Sequence, residues 1–151
     1  MTCRQEVAPW LIVYYSSHDP NFDSASVTVG QTSLATLSAP LYRDPWLQTS
    51  VPGEKFGASS SVYTVTGSSQ FSGRLTLFLC DGSFTLDIAG PSVELAPGKY
   101  AIAPGLYYFK IVSGTGPYLN EPGFVRVTVA PATSGLRTCE IFLESSGVNH
   151  K

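Results

Sequence analysis

The side chains that could perform acid–base or nucleophilic chemistry are few in this sequence. It has two histidines, His18 in a polar segment and His150 one residue from the end. A Ser-His-Asp relay needs an imidazole held by packing and hydrogen bonds, and a terminal segment seldom supplies that support. No nucleophile elbow, phosphate-binding loop or dinucleotide fingerprint occurs in the sequence. We therefore predict that the protein is not an enzyme, that it has no catalytic residues and that it needs no cofactor.

A partial calcium-loop pattern is the nearest approach to a metal site. Asp19, Asn21 and Asp23 supply the alternating oxygen ligands that begin such a loop. However, Ser24 stands where the sharp-turn glycine belongs, and Gly30 stands where the bidentate glutamate belongs. The segment is therefore predicted to be a solvated turn, and no metal site is expected.

The three cysteines, Cys3, Cys80 and Cys139, form no C-x-x-C pair. This spacing argues against a zinc site or a dithiol redox centre. Cys80 lies in an apolar run and is predicted to be a small buried hydrophobic residue. Whether Cys3 and Cys139, near opposite ends of the chain, form a disulfide stays open.

Charge and hydropathy exclude two classes of partner. The nine Lys and Arg residues are scattered singly in a chain of net charge −2, so no basic stripe is available to bind nucleic acid. The apolar run at 10–15 is too short to span a membrane, and it lacks the basic region and cleavage site of a secretory signal. We expect no nucleic-acid partner, no membrane association and no amino-terminal secretion signal.

The elements that position these side chains are predicted to be strands throughout. Apolar and small polar residues alternate with period two, and turn residues recur every eight to twelve positions. This spacing indicates a β-sandwich or barrel, and residues 1–151 match the size of a single domain. The predicted strands are 9–15, 25–30, 32–37, 60–66, 71–79, 83–88, 92–96, 99–103, 105–113, 123–130 and 137–144.

One turn pattern occurs twice within residues 93–130. Each copy has an apolar residue, a Pro-Gly pair and a tyrosine two residues beyond the glycine. Proline presets the first turn dihedral and glycine accepts a positive φ, so the chain is predicted to reverse there. Alternating apolar residues at 107–111 and 125–129 then predict a hairpin with a long connection. The predicted turn residues are Pro97, Gly98, Tyr100, Pro104, Gly105 and Tyr107.

This segment resembles the late strands of immunoglobulin-like and fibronectin-type sandwiches, in which such a Pro-Gly-x-Tyr stretch forms a tyrosine corner. The resemblance implies an immunoglobulin-like β-sandwich. The sequence departs from that family because it lacks a Cys–Trp–Cys framework. A further strand with Thr138, Glu140 and Phe142 also follows the expected end of such a domain. A jelly roll or an open barrel is therefore the alternative.

In size and composition the chain resembles capsid decoration (cement) proteins of tailed phages. Its charged residues amount to 13% and its aromatic residues to 12%, and interface cores are depleted in charge and enriched in aromatics. The resemblance implies a non-enzymatic virion component that binds and stabilises an assembled shell. Its partners would be the major capsid protein or other virion subunits, after assembly in the host cytoplasm, and a homo-oligomer stays open.

The surfaces expected to touch such partners lie at the two ends of the chain and in one long loop. They are the N-terminal segment 1–10, a flexible tail at 145–151 and a loop at 38–59, which is long enough to indicate a functional segment. The interface candidates are Trp10, Leu41, Tyr42, Trp46, Leu47 and Phe56.

The alternative function is a carbohydrate-binding or adhesin module, for example a phage tail or fibre part. Flat aromatic faces would stack on sugar rings, and an amide would supply a polar partner. The candidate glycan-binding residues are Tyr42, Trp46, Tyr118 and Asn120.

Overall fold

The computed structural model describes residues 9–30, 32–43, 55–66, 69–97, 99–131 and 134–144, with only the backbone at 95, 96, 99 and 100. Within this part of the chain lie ten strands and one short 3-10 helix, Gly116–Tyr118. The strands are β1 (Leu11–Ser16), β2 (Asp23–Val29), β3 (Thr32–Tyr42), β4 (Lys55–Thr66), β5 (Gln70–Leu79), β6 (Ser83–Ala96), β7 (Lys99–Ile102), β8 (Gly105–Thr115), β9 (Gly123–Val129) and β10 (Leu136–Leu143).

The all-β prediction is confirmed, and the period-two alternation explains why these segments are strands. Successive side chains of a strand point to opposite faces. In β4, for example, Ser61, Tyr63 and Val65 are buried, whereas Val62 and Thr64 are exposed. Alternation therefore gives each strand one face toward the core and one toward solvent.

The strands close into a barrel. The sheet order is β1-β10-β9-β8-β6-β5-β4-β3, and β3 pairs back to β1 through Tyr14 and Tyr42. All of these pairings are antiparallel. The predicted immunoglobulin-like sandwich is wrong, because one continuous ladder passes through all eight strands instead of two facing sheets. The open-barrel alternative is closer, although the β1–β3 contact closes the barrel.

Two strands lie outside the closed ring. β2 pairs with residues 32–38 of β3, on the same edge that β1 reaches only at Tyr42. β7 pairs with the second half of β6, while the first half of β6 pairs with β8. The predicted strands 83–88 and 92–96 are therefore one long strand, and its second half forms a hairpin at one end of the barrel.

The predicted loop at 38–59 is wrong at both of its ends. β3 continues to Tyr42 and β4 begins at Lys55, with Pro40 paired to Ala58 inside the ladder. On its other edge Pro40 falls between the last β2 pair, at Ser38, and the β1 pair at Tyr42. A proline is tolerated there because no neighbouring strand needs its missing N–H. Residues 44–54 lie outside the described residues.

The two ends of the barrel are built differently. At the end of the barrel where β8 finishes and β9 begins, three aromatic rings close the interior. Trp10 lies edge-on to Phe84 and to Tyr118, with ring centroids 6.1 and 5.5 Å apart, and Phe84 lies 4.4 Å from Tyr118. We call this the closed end. The opposite end, where β1 and β9 finish and β8 and β10 begin, is the mouth.

Candidate functional site

A cavity of about 380 Å³ lies at the mouth of the barrel. Small-molecule sites occupy about 300–1,000 Å³, so its size is at the lower end of that range. One wall is formed by the connection between β1 and β2, by β2 itself and by the start of β3. The other wall is formed by the β6–β7 hairpin, by the end of β9 and by the start of β10. We call this space the mouth cavity.

The cavity exists because small residues line its β2 and β3 side. β2 contributes Ser24, Ala25 and Ser26, and β3 contributes Ala35. Larger side chains at these positions would fill the space between β2 and the β9–β10 edge.

A glycine ties the two walls together. The carbonyl of Gly135 accepts a hydrogen bond from the Ser17 N–H at 2.9 Å, which joins the β1–β2 connection to the turn before β10. Gly135 has a φ of +71°, and a Cβ at this position would collide with the Ser17 hydroxyl. Only glycine adopts this conformation readily, so the residue type fixes the shape of the mouth.

The polar groups of the cavity include one cation. Arg137 is half-buried and lines the mouth cavity together with the buried Tyr63. Its Nη1 donates to the Gly135 carbonyl at 3.2 Å, and its guanidinium carbon lies 6.0 Å from the centroid of the Tyr15 ring. The guanidinium therefore lies at the inner part of the mouth, next to aromatic rings.

A second, smaller space of about 20 Å³ lies deeper in the barrel. It has room for about one water molecule. Leu37, Ile102, Val129 and Arg137 line both spaces, and Tyr15 lines only the deeper one. The four shared residues therefore form the floor of the mouth cavity.

Burial sets the protonation state of the groups near this floor. Burial raises the pKa values of Tyr15 and Tyr63 above the usual value of a tyrosine. The positive charge of Arg137 acts in the opposite direction on both pKa values. Burial also raises the pKa of the Cys139 thiol to about 12. At neutral pH the two phenols are hydrogen-bond donors, and the thiol is not a nucleophile.

The structure brings few of the predicted interface residues to the surface. Leu41 is fully buried and Tyr42 is buried, with its hydroxyl directed at Asp19. Burial and this contact raise the pKa of Tyr42 to about 12. Phe56 is half-buried under the guanidinium of Arg43, at 5.0 Å.

The other interface predictions fall at the N-terminus and in the gap before β4. Trp10 packs on the rings of the closed end and is still 39% exposed, so it is the one of these candidates with a large exposed part among the described residues. Residues 1–8, Trp46, Leu47 and the tail 145–151 lie outside the described residues.

The glycan-binding candidates do not form one site among the described residues. Tyr118 is buried at the closed end, and its hydroxyl donates to Asp81 at 2.9 Å. Tyr42 lies at the β1–β3 seam. Asn120 is exposed and has a φ of +61°, which fits a turn residue. The glycan hypothesis stays a prediction.

The two predicted turns lie at the β6–β7 hairpin and before β8. Ala96 pairs with Lys99, so the chain reverses at Pro97; Gly98 lies outside the described residues, and only the backbone of Tyr100 is described. Before β8, Pro104 lines the mouth cavity and Gly105 has a φ of +154°. The Tyr107 hydroxyl donates to the Ala103 carbonyl at 2.5 Å. Tyr107 therefore makes a hydrogen bond back to its own turn, as a tyrosine corner would, but the fold around it is a barrel and not a sandwich.

Cys80 is exposed, which corrects the prediction that it is buried. The other strand cysteine, Cys139, is fully buried in β10. Cys3 lies outside the described residues, so its pairing is untested.

Sequence reasoning missed Arg137, Tyr63 and Leu37. One signal for Arg137 was available: the inward register of β10 reads Arg137, Cys139, Ile141 and Leu143, an apolar row that begins with a cation. A charged residue at an inward strand position is costly unless it has a partner or a function.

The described ranges contain no candidate metal-binding cluster and no candidate membrane-spanning helix. No group of three or more His, Cys, Asp and Glu residues there is placed to hold a metal ion. No described helix is both long enough and apolar enough to cross a membrane.

Similar solved structures share the barrel. The chain is similar to the pterocarpan synthase dirigent protein GePTS1, with a TM-score of 0.66, 14% identity and coverage of 95% of this chain and 98% of that chain. It is similar to the pterocarpan synthase dirigent protein PsPTS1, with a TM-score of 0.62, 15% identity and coverage of 88% and 90%. It is also similar to pyocyanin demethylase, with a TM-score of 0.58, 16% identity and coverage of 87% and 98%.

At these identities the likeness establishes the fold alone, a dirigent-like β-barrel. No protein-family model matches the chain, and no curated protein matches it by sequence. The immunoglobulin-like description is wrong, because the barrel resembles dirigent proteins, and this likeness gives no support to the viral and capsid decoration descriptions. The broader expectation, an interaction protein with protein partners, is not tested by the fold and stays a prediction.

Proposed function

We propose that this protein binds a small, largely apolar ring compound in the mouth cavity. The observation that carries the proposal is the cavity itself, about 380 Å³ between β2 and the β9–β10 edge. Binding sites of this kind are concave and mostly apolar, with a few polar groups that orient the ligand. The mouth cavity has that composition.

The wall and floor residues support a ring-shaped ligand. Leu37, Ile102 and Val129 present apolar surface at the floor, and Tyr63 and Arg137 are the groups that can donate hydrogen bonds from one side. Burial of an apolar ring against such a floor contributes about 25 cal/mol for each Å² removed from water. The two donors then fix its orientation.

The names of the similar barrels support the same class of ligand. Two of them are pterocarpan synthase dirigent proteins and one is pyocyanin demethylase. Pterocarpans and pyocyanin are small polycyclic compounds. We propose a ligand of comparable shape for this chain, held in the mouth cavity of its own barrel.

We further propose that the protein binds this ligand without acid–base chemistry of its own. Among the described lining residues, the ionisable side chains are Tyr63 and Arg137. Because burial raises the pKa of Tyr63, its phenol keeps its proton at neutral pH and does not serve as a base. The guanidinium of Arg137 has N–H donors and no acceptor. The site orients a ligand by donation.

A titration with the neutral fluorophore N-phenyl-1-naphthylamine tests the proposal. The wild-type protein should bind one equivalent. Ala35→Trp places an indole in the mouth cavity and should weaken the affinity at least about tenfold. Ala89→Trp makes the same substitution on the exposed face of β6 and should bind like the wild type. Far-UV circular dichroism checks that all three are folded.

Two results would reject the proposal. One is a wild-type protein that does not bind the fluorophore. The other is an Ala35→Trp variant that is folded and binds it as tightly as Ala89→Trp.

A further inference from the structure

We propose that the ligand of the mouth cavity is an anion, and that its carboxylate or other oxyanion binds the guanidinium of Arg137. This inference rests on the proposed function and adds the chemical class of the ligand. It follows from how the arginines of this chain are paired.

Two described arginines have carboxylate partners outside the barrel. Arg74 pairs with Asp87 at 3.0 Å on the surface. Arg126 makes two hydrogen bonds to Glu140, at 2.7 and 2.8 Å, on the outer face of β9 and β10. Arg137 takes part in neither of the ion pairs found among the described residues, although it is the one that faces the barrel interior.

The surroundings of Arg137 make an unpaired charge costly. Its neighbours at the floor are Leu37, Ile102 and Val129, and the Tyr15 ring lies 6.0 Å from its guanidinium carbon. A charge that is partly removed from water loses solvation unless an opposite charge or hydrogen bonds replace it. An oxyanion in the cavity would compensate the guanidinium for the solvation that the floor residues remove.

The guanidinium is held in place with donors to spare. Its Nη1 donates to the Gly135 carbonyl, which also accepts the Ser17 N–H. A guanidinium has five N–H donors in a planar fork that matches a carboxylate. One hydrogen bond to a carbonyl therefore fixes the group and leaves the fork free to bind two oxygens. Tyr63, which lines the same cavity, provides a neutral donor nearby.

The mouth cavity therefore favours a ligand that combines two features. An apolar ring would cover the floor residues, and an acidic group attached to that ring would reach Arg137. A planar aromatic carboxylate of two fused rings has both features and is small enough for a space of about 380 Å³.

Displacement of N-phenyl-1-naphthylamine by two matched competitors tests this inference. The competitors are 2-naphthoate and 2-naphthamide, which share a ring system and differ by one negative charge. Wild-type protein should bind the carboxylate at least about tenfold more tightly than the amide at pH 7. Arg137→Gln should remove this preference, and Arg137→Lys should restore part of it. Arg74→Gln changes an arginine outside the cavity and should keep the full preference.

The outcomes separate the inference from the proposed function. If the fluorophore binds but the wild type does not distinguish the two competitors, the anion inference fails and the binding function stands. A preference that persists in folded Arg137→Gln also overturns the inference. If the fluorophore does not bind at all, both fail together.

Discussion

The closed end and the mouth are two ends of the same barrel, and they use opposite packing. At the closed end, Trp10, Phe84 and Tyr118 are in mutual ring contact, and a hydroxyl bonds to Asp81. At the mouth, small residues leave about 380 Å³ beside one arginine. The barrel therefore concentrates stabilising contacts at one end and leaves the other shaped for a ligand.

This difference follows from residue size at inward positions. Phe84 is fully buried and fills the closed end, whereas Ala35 of β3 and Ser24 of β2 line the mouth. Close packing makes interiors sensitive to the loss of even one methylene, while a preformed cavity tolerates substitution of its lining. Mutations at the two ends should therefore affect different observables.

The largest effect is expected for Phe84→Ala at the closed end. Loss of a fully buried ring leaves a cavity between Trp10 and Tyr118, and such substitutions cost about 3–5 kcal/mol of unfolding free energy. Urea denaturation followed by circular dichroism measures this change. The affinity of the folded fraction for N-phenyl-1-naphthylamine should stay within about twofold. A loss below about 1 kcal/mol would show that the closed end is not a major source of stability.

A smaller effect, with a change in binding, is expected for Gly135→Ala at the mouth. The substitution forces a non-glycine residue to a φ of +71° and pushes its Cβ against the Ser17 hydroxyl. Backbone strain of this kind costs about 1–3 kcal/mol. Because Gly135 also positions Arg137, 2-naphthoate affinity should fall. Unchanged stability and affinity would show that this turn does not shape the mouth. Gly30→Ala is the control, since its φ is +63° and a Cβ there meets nothing within 4 Å.

Tyr118→Phe should cost about 1 kcal/mol, because it removes only the hydrogen bond to Asp81 and keeps the ring. Thermal denaturation of Tyr118→Phe, of Asp81→Asn and of the double variant measures how much this hydrogen bond contributes to stability. The two changes should not add, since they remove the same contact. Fully additive losses would show that the bond does not contribute to the closed end.

The same hydrogen bond predicts a response to alkaline pH. Burial and the contact with Asp81 raise the pKa of Tyr118 from 10.0 to about 12. A raised folded-state pKa contributes stability that is complete below pH 10 and is lost as the pH rises from about 10 to 12. Tyr118→Phe should therefore lose less stability than the wild type over this interval. Equal losses in urea titrations at pH 9 and 11 would contradict the assignment.

The smallest effect on stability is expected for Tyr63→Phe in the mouth, about 0.5 kcal/mol for the loss of one hydroxyl. Its effect should appear in binding, where 2-naphthoate affinity falls a few-fold because one donor is lost. Calorimetric titration measures this change, with Tyr108→Phe on the exposed face of β8 as the control. Equal affinity in wild type and Tyr63→Phe would remove Tyr63 from the site.

The strands could be predicted from the sequence because alternation is a local signal. Tyr107, Phe109 and Ile111 fall on one face of β8, as their spacing requires, and the hairpin with β9 follows. The closure of the barrel could not be predicted in this way. It depends on the pairing of Tyr14 with Tyr42, which are far apart in the sequence, and no local pattern encodes that pairing.

The mouth cavity could not be predicted from the sequence for a similar reason. Its lining comes from β2, β3, β4, the β6–β7 hairpin, β9 and β10, so no short motif contains it. Ala35 and Leu37 read as ordinary strand residues until the barrel places them opposite Val129 and Arg137. The aromatic residues that suggested a site, Tyr118 and Tyr42, instead pack in the barrel itself.

Amide chemical shifts recorded during a titration with 2-naphthoate test the central claim most directly, since the method reports on both ends of the barrel at once. The account predicts that the largest changes fall on the mouth, at Ser17, Ala25, Leu37 and Arg137, while the amides of Phe84 and Tyr118 stay within the noise. Changes centred on the closed end, or spread evenly around the barrel, would contradict it.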